Sequence, residues 1–296
     1  MKDILVEQKP SQQKLPGGTD MIQFKVEQSK CTRCGQCVLD CPSRIIERTG
    51  DAVPFIRPEN EGNCIRCQHC LAVCPAAAIS IFGRNPAGSV PLTAKSFPKL
   101  DKMINLVRGR RSVRRYQDKN IDPKRLQQLL AALGNVPTAV NRMALTFSVI
   151  DDKDVMQQFR VKTLNALAEA VKAGRVPERH AYLMQAVPAW FDQKVDVIFR
   201  GAPHMLAVSA GPESVCPAED VNLALAYFEL MAQSAGLGTV WCGLAKMTME
   251  LLPELKAVVG VPPGHYYYTM LFGMPAARYA RTVQRDEAAR VRRIAV

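Results

Sequence analysis

The chain has 296 residues, 48% of them hydrophobic, enough for one large domain and one small one, each with its own core. Its formal charge of +12 is spread along the chain, with 13 Lys and Arg against 9 Asp and Glu in residues 1–100 and 26 against 18 beyond. A basic tail is therefore excluded as the source, and an acidic carrier protein, a polyanion or an anionic cofactor is each compatible with the excess.

Residues 1–20 are polar with Pro and Gly and are expected to form a loosely held arm, without the apolar segment and small-residue cleavage site of a signal peptide. Residues 21–83 hold an internal repeat of two cysteine runs, CTRCGQCVLDCP and CIRCQHCLAVCP. Short strands are expected before each run, in FKVEQSK and AVPFIRP, and after each, in IIERTG and AISIFGR. Residues 84–100 (RNPAGSVPLTAKSFPKL) have three prolines and little periodicity, and read as a linker.

The pattern then changes to that of an α+β domain spanning 101–296. KMINLVRGR reads as a helix, and so does 122–133, where Asp122 can cap and Pro123 opens the first turn. A strand at 144–152 leads into a long helix at 152–174 that Gly174 ends. A strand at 202–210, an apolar helix at 219–236, a strand-like segment at 238–245 and a strand at 265–275 follow. The apolar run 223–245 contains Glu229, Gln233, Ser234 and three glycines, so it reads as buried helix then strand, with no membrane span.

Eight of the ten cysteines lie in the two runs, each spaced C-x2-C-x2-C-x3-C-P. Without a secretion signal, spacing this regular points to metal ligation in a reducing compartment and away from disulfides. Thiolates this close can wrap three corners of a cubane, and in the two-cluster arrangement the displaced fourth cysteine serves the other cluster. One [4Fe-4S] cluster is thereby assigned to Cys31, Cys34, Cys37 and Cys74, and the second to Cys64, Cys67, Cys70 and Cys41. Structural zinc is the competing reading, but zinc ribbons use paired C-x2-C units and rarely a third cysteine plus Cys-Pro. His69, inside the second run, reads as a loop residue. Over about 55 residues the segment resembles the bacterial two-[4Fe-4S] ferredoxins.

RGRRSVRRY, residues 108–116, places five arginines in nine positions. It reads as a solvated basic face, a nucleic-acid contact or a cofactor-phosphate site. No aromatic interleaving or DNA-binding motif accompanies it. Together with PTAVNRM (137–143), GLGTVWCGLA (236–245) and FGMPAARYARTVQR (272–285), in this order, the segment resembles the nitroreductase family of FMN-dependent oxidoreductases over residues 101–296.

The resemblance implies a sheet flanked by helices, assembled as an intimate homodimer with FMN at the interface. It places Arg110, Arg111, Ser112 and Arg114 on the FMN phosphate, ribityl chain and pyrimidine edge. Pro137, Thr138 and Asn141 match a Pro-Ser-x-x-Asn pattern that meets the ring from the other subunit, with Thr138 in place of Ser. Met143 and Ala144 stand where the family often has Gln-Pro. Val240, Trp241, Cys242 and Gly243 match the segment whose backbone lies against the ring, and Arg281 and Arg285 complete the phosphate site. Since backbone N–H groups serve the flavin, no catalytic side chain is required. GLGTVWCG has the wrong glycine spacing and context for a dinucleotide fingerprint.

Cys242 is a weak candidate for a redox role beside the flavin, against the commoner role of a small buried hydrophobe. Cys216 reads as a loop thiol. His204 and His265 are weighed as proton donors against structural roles, and His180 less so; Trp190 reads as a mouth or core residue. The expected function is an oxidoreductase taking electrons from an external donor through two [4Fe-4S] clusters to FMN and on to an organic acceptor such as a nitroaromatic or quinone. The donor is a reduced ferredoxin- or flavodoxin-like carrier or NAD(P)H. The alternatives are an electron-transfer or redox-sensing protein without small-molecule turnover, and a dehalogenase- or flavin-processing-like member of the same fold. Neither nucleic acid nor a membrane is an expected partner, and the expected location is cytoplasmic.

Overall fold

The computed structural model describes residues 22–285 and 287–295, and their contacts divide into two units. The first runs to Phe97 and includes Val140–Arg142; the second comprises Pro98–Ala139 and the chain from Met143 onward. The expected arm, residues 1–20, lies outside the described residues.

In the first unit the repeat in sequence becomes a repeat in space. Its elements are β1 (Lys25–Val26), α1 (Gln36–Asp40), β2 (Ile46–Glu47), β3 (Phe55–Ile56), α2 (His69–Ala72) and β4 (Ile79–Ser80). β1 pairs antiparallel with β4, and β2 with β3, so each strand before a run closes on the strand after the other run. All four strands are where the sequence places them. The core is small, built on Ile45, Ile46, Leu71, Ile79 and Ile81 with Cys37 and Cys70. The linker carries two 3-10 turns, Pro86–Gly88 and Ala94–Ser96, capped by Asn85 and Thr93 side chains.

The second unit opens with α3 (Leu100–Gly109) and α4 (Pro123–Ala132). Asp122 caps α4 as the sequence indicates, its Oδ1 accepting from the Arg125 amide at 2.8 Å. Then come β5 (Leu145–Ile150), α5 (Lys153–Lys172), α6 (Ala186–Phe191), β6 (His204–Ala210), α7 (Pro217–Ser234), β7 (Gly238–Trp241), α8 (Gly243–Leu251), α9 (Pro253–Val258) and β8 (Tyr266–Gly273). The four strands form one antiparallel sheet in the order β5-β6-β8-β7.

Successive side chains of a strand point to opposite faces, and here both faces are covered. On β6, Leu206, Val208 and Ala210 join a core with α4 and α7, while Met205 and Ala207 join a second core with α5, α6, α8 and α9. Every residue of β6 is buried in consequence. Gly174 (φ 64°) and Gly236 (φ 76°) end α5 and α7 in the left-handed conformation, as their positions in sequence suggest. Among the described residues, no helix is long and apolar enough to cross a membrane.

One expectation needs correction. The strand-like segment 238–245 is half strand: β7 stops at Trp241, and Cys242 caps α8, its Sγ accepting from the Ala245 amide at 3.4 Å. Residues 186–191, which include Trp190, form α6. Trp190 packs partly buried against the core beside α5.

Beneath the β7–α8 junction lies a buried ion pair, Arg160 Nε to Asp196 Oδ2 at 2.7 Å, with both side chains 8% exposed. Asp196 also accepts from the amides of Ile198, Phe199 and Gly201, and Arg160 donates to Ala202 O at 2.7 Å. Removing one member of such a pair leaves an uncompensated charge. Asp196→Ala is therefore expected to lower unfolding free energy by about 3–5 kcal/mol, read from urea denaturation of the variant.

Candidate functional site

The first unit gathers its cysteines crosswise. One concavity is lined by Cys31, Cys34, Cys37 and Cys74; a second is lined by Cys41, Cys64, Cys67 and Cys70. Each collects three cysteines of one run and the last of the other. Among the described residues, no three His, Cys, Asp or Glu side chains converge where a single metal ion would sit. The thiols instead stand around a hollow.

The backbone of each run repeats an unusual turn. Arg33 and Arg66 both lie at φ 58°, and the residues after the second cysteines, Gly35 and Gln68, at φ 75° and 59°. After the fourth cysteines, Arg44 (φ 52°) and Ala77 (φ 50°) match again. Left-handed residues alternating with right-handed ones turn successive N–H groups toward one side, the concavity that suits an anionic inorganic cluster. Five of these six residues are not glycine, so the conformation costs energy and persists only where its surroundings enforce it. The Ala78 amide donates to Cys74 Sγ at 3.3 Å, a sulfur-directed bond of this kind. Burial pushes the thiols of Cys37 and Cys64 up and that of Cys70 up to about 12. A metal must displace those protons on binding. His69 faces Asp40 at 3.4 Å.

In the second unit the arginine segment lies along β7. Ser112 forms a parallel bridge with Thr239, and the Val113 amide donates to Thr239 O at 2.8 Å. The approach is close enough that a Cβ on Gly238 would stand 2.6 Å from Val113 Cγ2. Further along, the Gln117 amide donates to Met274 O and the Ala276 amide to Arg115 O, which ties the segment to the exit of β8.

The join is locked by Glu229, a carboxylate on α7 only 8% exposed. Its Oε1 accepts from Arg110 Nη1 at 3.0 Å and Thr239 Oγ1 at 3.3 Å, and its Oε2 from Trp241 Nε1 at 3.2 Å. Arg110 is thus committed at least in part to an internal ion pair. Arg111 differs: its Nε is buried and makes no hydrogen bond, while its Nη2 donates to Arg108 O. Arg114 is exposed and donates to Ser112 O at 3.3 Å. Arg110, Arg111, Ser112, Arg114, Val240, Trp241, Cys242 and Gly243 are therefore brought together. Arg281 and Arg285 stand on the exposed segment that follows β8.

The loop holding Pro137, Thr138 and Asn141 is anchored separately. Asp220, 2% exposed, accepts from the Ala139 amide at 2.9 Å and from Ser214 Oγ at 2.7 Å. Thr138 Oγ1 accepts from the Met143 amide at 2.9 Å. Val140, Asn141 and Met143 all have φ between 45° and 55°, a run of left-handed residues that marks strain. Asn141 falls in the first unit, donating from Nδ2 to Ile65 O at 2.9 Å, and so does not join the arginine segment within the second unit.

The weaker candidates resolve plainly. Cys242 is buried, donates toward Ile198 O at 3.3 Å, and burial pushes its thiol up to about 12. That is the setting of a structural thiol. His204 is fully buried and its Nε2 accepts from the Ile121 amide at 3.2 Å; burial lowers its pKa, which favours the neutral ring. His265 has a buried Nδ1 without a hydrogen bond, with Nε2 near Gly211. Glu229 and Asp220 carry the local geometry, yet no motif flags them. The signal available was a carboxylate inside an apolar helix, which has to be paired.

Residues 107–274 match the nitroreductase family, and residues 30–79 match the 4Fe-4S dicluster domain. An FMN reductase [NAD(P)H] of Bacillus subtilis is 26% identical over 185 residues, covering 62% of this chain and 69% of that protein. A nitroreductase with bound FMN from Bacteroides fragilis superposes with a TM-score of 0.51 at 19% identity, over 64% of this chain and 99% of that one. An FMN-bound nitroreductase from Desulfitobacterium hafniense gives 0.51 at 21% identity, over 67% and 100%. These structures share the fold of the second unit.

Glu229→Ala is expected to cost about 2–3 kcal/mol of stability, because charged hydrogen bonds are lost and buried donors are orphaned. It also frees Trp241 Nε1, so the tryptophan emission should shift; urea denaturation followed by fluorescence reads both.

Proposed function

The chain belongs to the nitroreductase family and is an FMN-dependent oxidoreductase with a 4Fe-4S domain, and from that premise we propose that it carries electrons from an external donor, by way of two [4Fe-4S] clusters and FMN, to a small organic acceptor. The observation that carries this reading is the crosswise gathering of eight cysteines around two hollows in a chain that also folds as a nitroreductase.

The residues fit the groups. Each hollow offers four thiols, the donor set of a cubane, beside left-handed turns of the backbone. The orphaned, buried Nε of Arg111 marks a place for an anion beside Ser112 and Arg114. A phosphate of nearly two negative charges suits it. Arg110 acts from behind, holding the segment on Glu229. Arg281 and Arg285 extend the positive field. Val240, Trp241, Cys242 and Gly243 contribute backbone at the start of α8, and Pro137 and Thr138 contribute a second wall. When bound, FMN supplies a ring that accepts electrons singly or in pairs, and so joins one-electron carriers to a two-electron reduction. The acceptor takes up two electrons and two protons, with nitroaromatics, quinones and flavins as the classes to try.

A homodimer fits α3, whose apolar residues Leu100, Ile104 and Val107 are all exposed. The clusters suit a reducing cytoplasm. The Bacillus relative's name specifies NAD(P)H, so that donor is the second arm of the test.

Protein purified without oxygen is expected to hold about eight iron and eight sulfide per chain, together with FMN. Reduced ferredoxin should bleach the flavin, and Cys74→Ser or Cys41→Ser should slow that bleaching at least about tenfold. Bleaching by NAD(P)H alone, untouched by either variant, would sink the wiring.

A further inference from the structure

A cavity of about 330 Å³ opens in the second unit between α6 and the start of α8. Its size falls at the lower end of the range for small-molecule pockets, roughly 300–1,000 Å³. We propose that it binds the organic electron acceptor, and that this acceptor is an uncharged, flat molecule of one or two rings. The occupant's role rests on the flavin reading above; the site and its charge preference rest on the cavity itself.

The floor is apolar and buried: Leu183, Ala186, Ala189 and Ile198. Two of these are alanines, and the volume their missing side chains leave is what makes room for a ring. The rim is polar but neutral, formed by Tyr182, Gln185 and Gln193, all exposed. Among the described residues, no Lys, Arg, Asp, Glu or His lines the cavity, in a chain of which 22% is charged. A carboxylate or phosphate entering it would shed water with no cation to receive it. An uncharged ring loses little water and buries apolar surface, and the two amides can donate to carbonyl or nitro oxygens at its edge.

The wall nearest the sheet is Leu244, the residue after Gly243. The floor residue Ile198 accepts from Cys242 Sγ through its carbonyl, which links the floor to the β7–α8 junction. That floor is fixed in turn by Asp196, whose Oδ1 accepts from the Ile198 and Phe199 amides. The pocket is thus built on a rigid scaffold and attached to the backbone assigned to the flavin.

Equilibrium dialysis of the oxidised full-length protein against menadione, an uncharged naphthoquinone, and against naphthoquinone sulfonate tests this without turnover. Menadione should bind at least about tenfold more tightly than the sulfonate, because only the latter buries a charge. Ala189→Leu fills the floor and should weaken menadione at least about tenfold. Gln193→Lys, on the exposed rim, should strengthen the sulfonate several-fold and carries the decision if Ala189→Leu does not fold. Equal affinity for the two quinones, unchanged menadione binding in a folded Ala189→Leu, or unchanged sulfonate binding in Gln193→Lys would overturn the proposal. FMN content and flavin bleaching by reduced ferredoxin, measured on the same samples, separate this from failure of the flavin reading, since dialysis reports the cavity whether or not either is seen.

Discussion

A carboxylate taken out of water has to be met by donors, and Glu229 meets three from two other parts of the chain. Arg110 comes from the end of α3, Thr239 and Trp241 from β7, and the acid itself from α7. The result is more than a contact. It sets the arginine segment against the edge of the sheet, and the parallel bridge of Ser112 to Thr239 follows from that placement. Gly238 is required there because Val113 leaves no space for a side chain. The orphaned Nε of Arg111 is aimed by the same framework. One buried charge thus organises the cationic surface around it while taking no part in chemistry.

Much of the fold is legible in the residues. The strands around both cysteine runs, the Asp122–Pro123 helix start and the glycine stops at 174 and 236 are local signals, and local signals survive tertiary context. The 238–245 segment misleads because an apolar stretch does not reveal where a strand hands over to a helix; the cap that decides it is Cys242, a residue type outside the usual capping set. The short helix at Ala186–Phe191 is obscured by its own Pro188 and by the 3-10 stretch before it.

The sites divide in the same way. Cysteine spacing is a one-dimensional record of which thiols the fold brings together, so the crosswise grouping is readable in advance. The arginine segment and β7 are far apart in sequence, and only a family pattern links them before the fold is known. Glu229, Asp220 and Asp196 belong to no pattern. Each is a single acid whose partners come from elsewhere, and partners at long range leave no periodicity. The cavity under α6 is less legible still, since it is defined by what Ala186 and Ala189 lack.

The crossing of Cys41 and Cys74 has a consequence for durability. The first unit has few buried aliphatic side chains, and its strands are two residues long. With clusters bound as proposed, each one bridges both halves of the repeat, so neither half has a private cofactor to fall back on. Oxygen that strips iron from one site releases the strap on the other half as well. On that reading redox damage becomes unfolding, and the first unit fails as a whole, the way a fuse does.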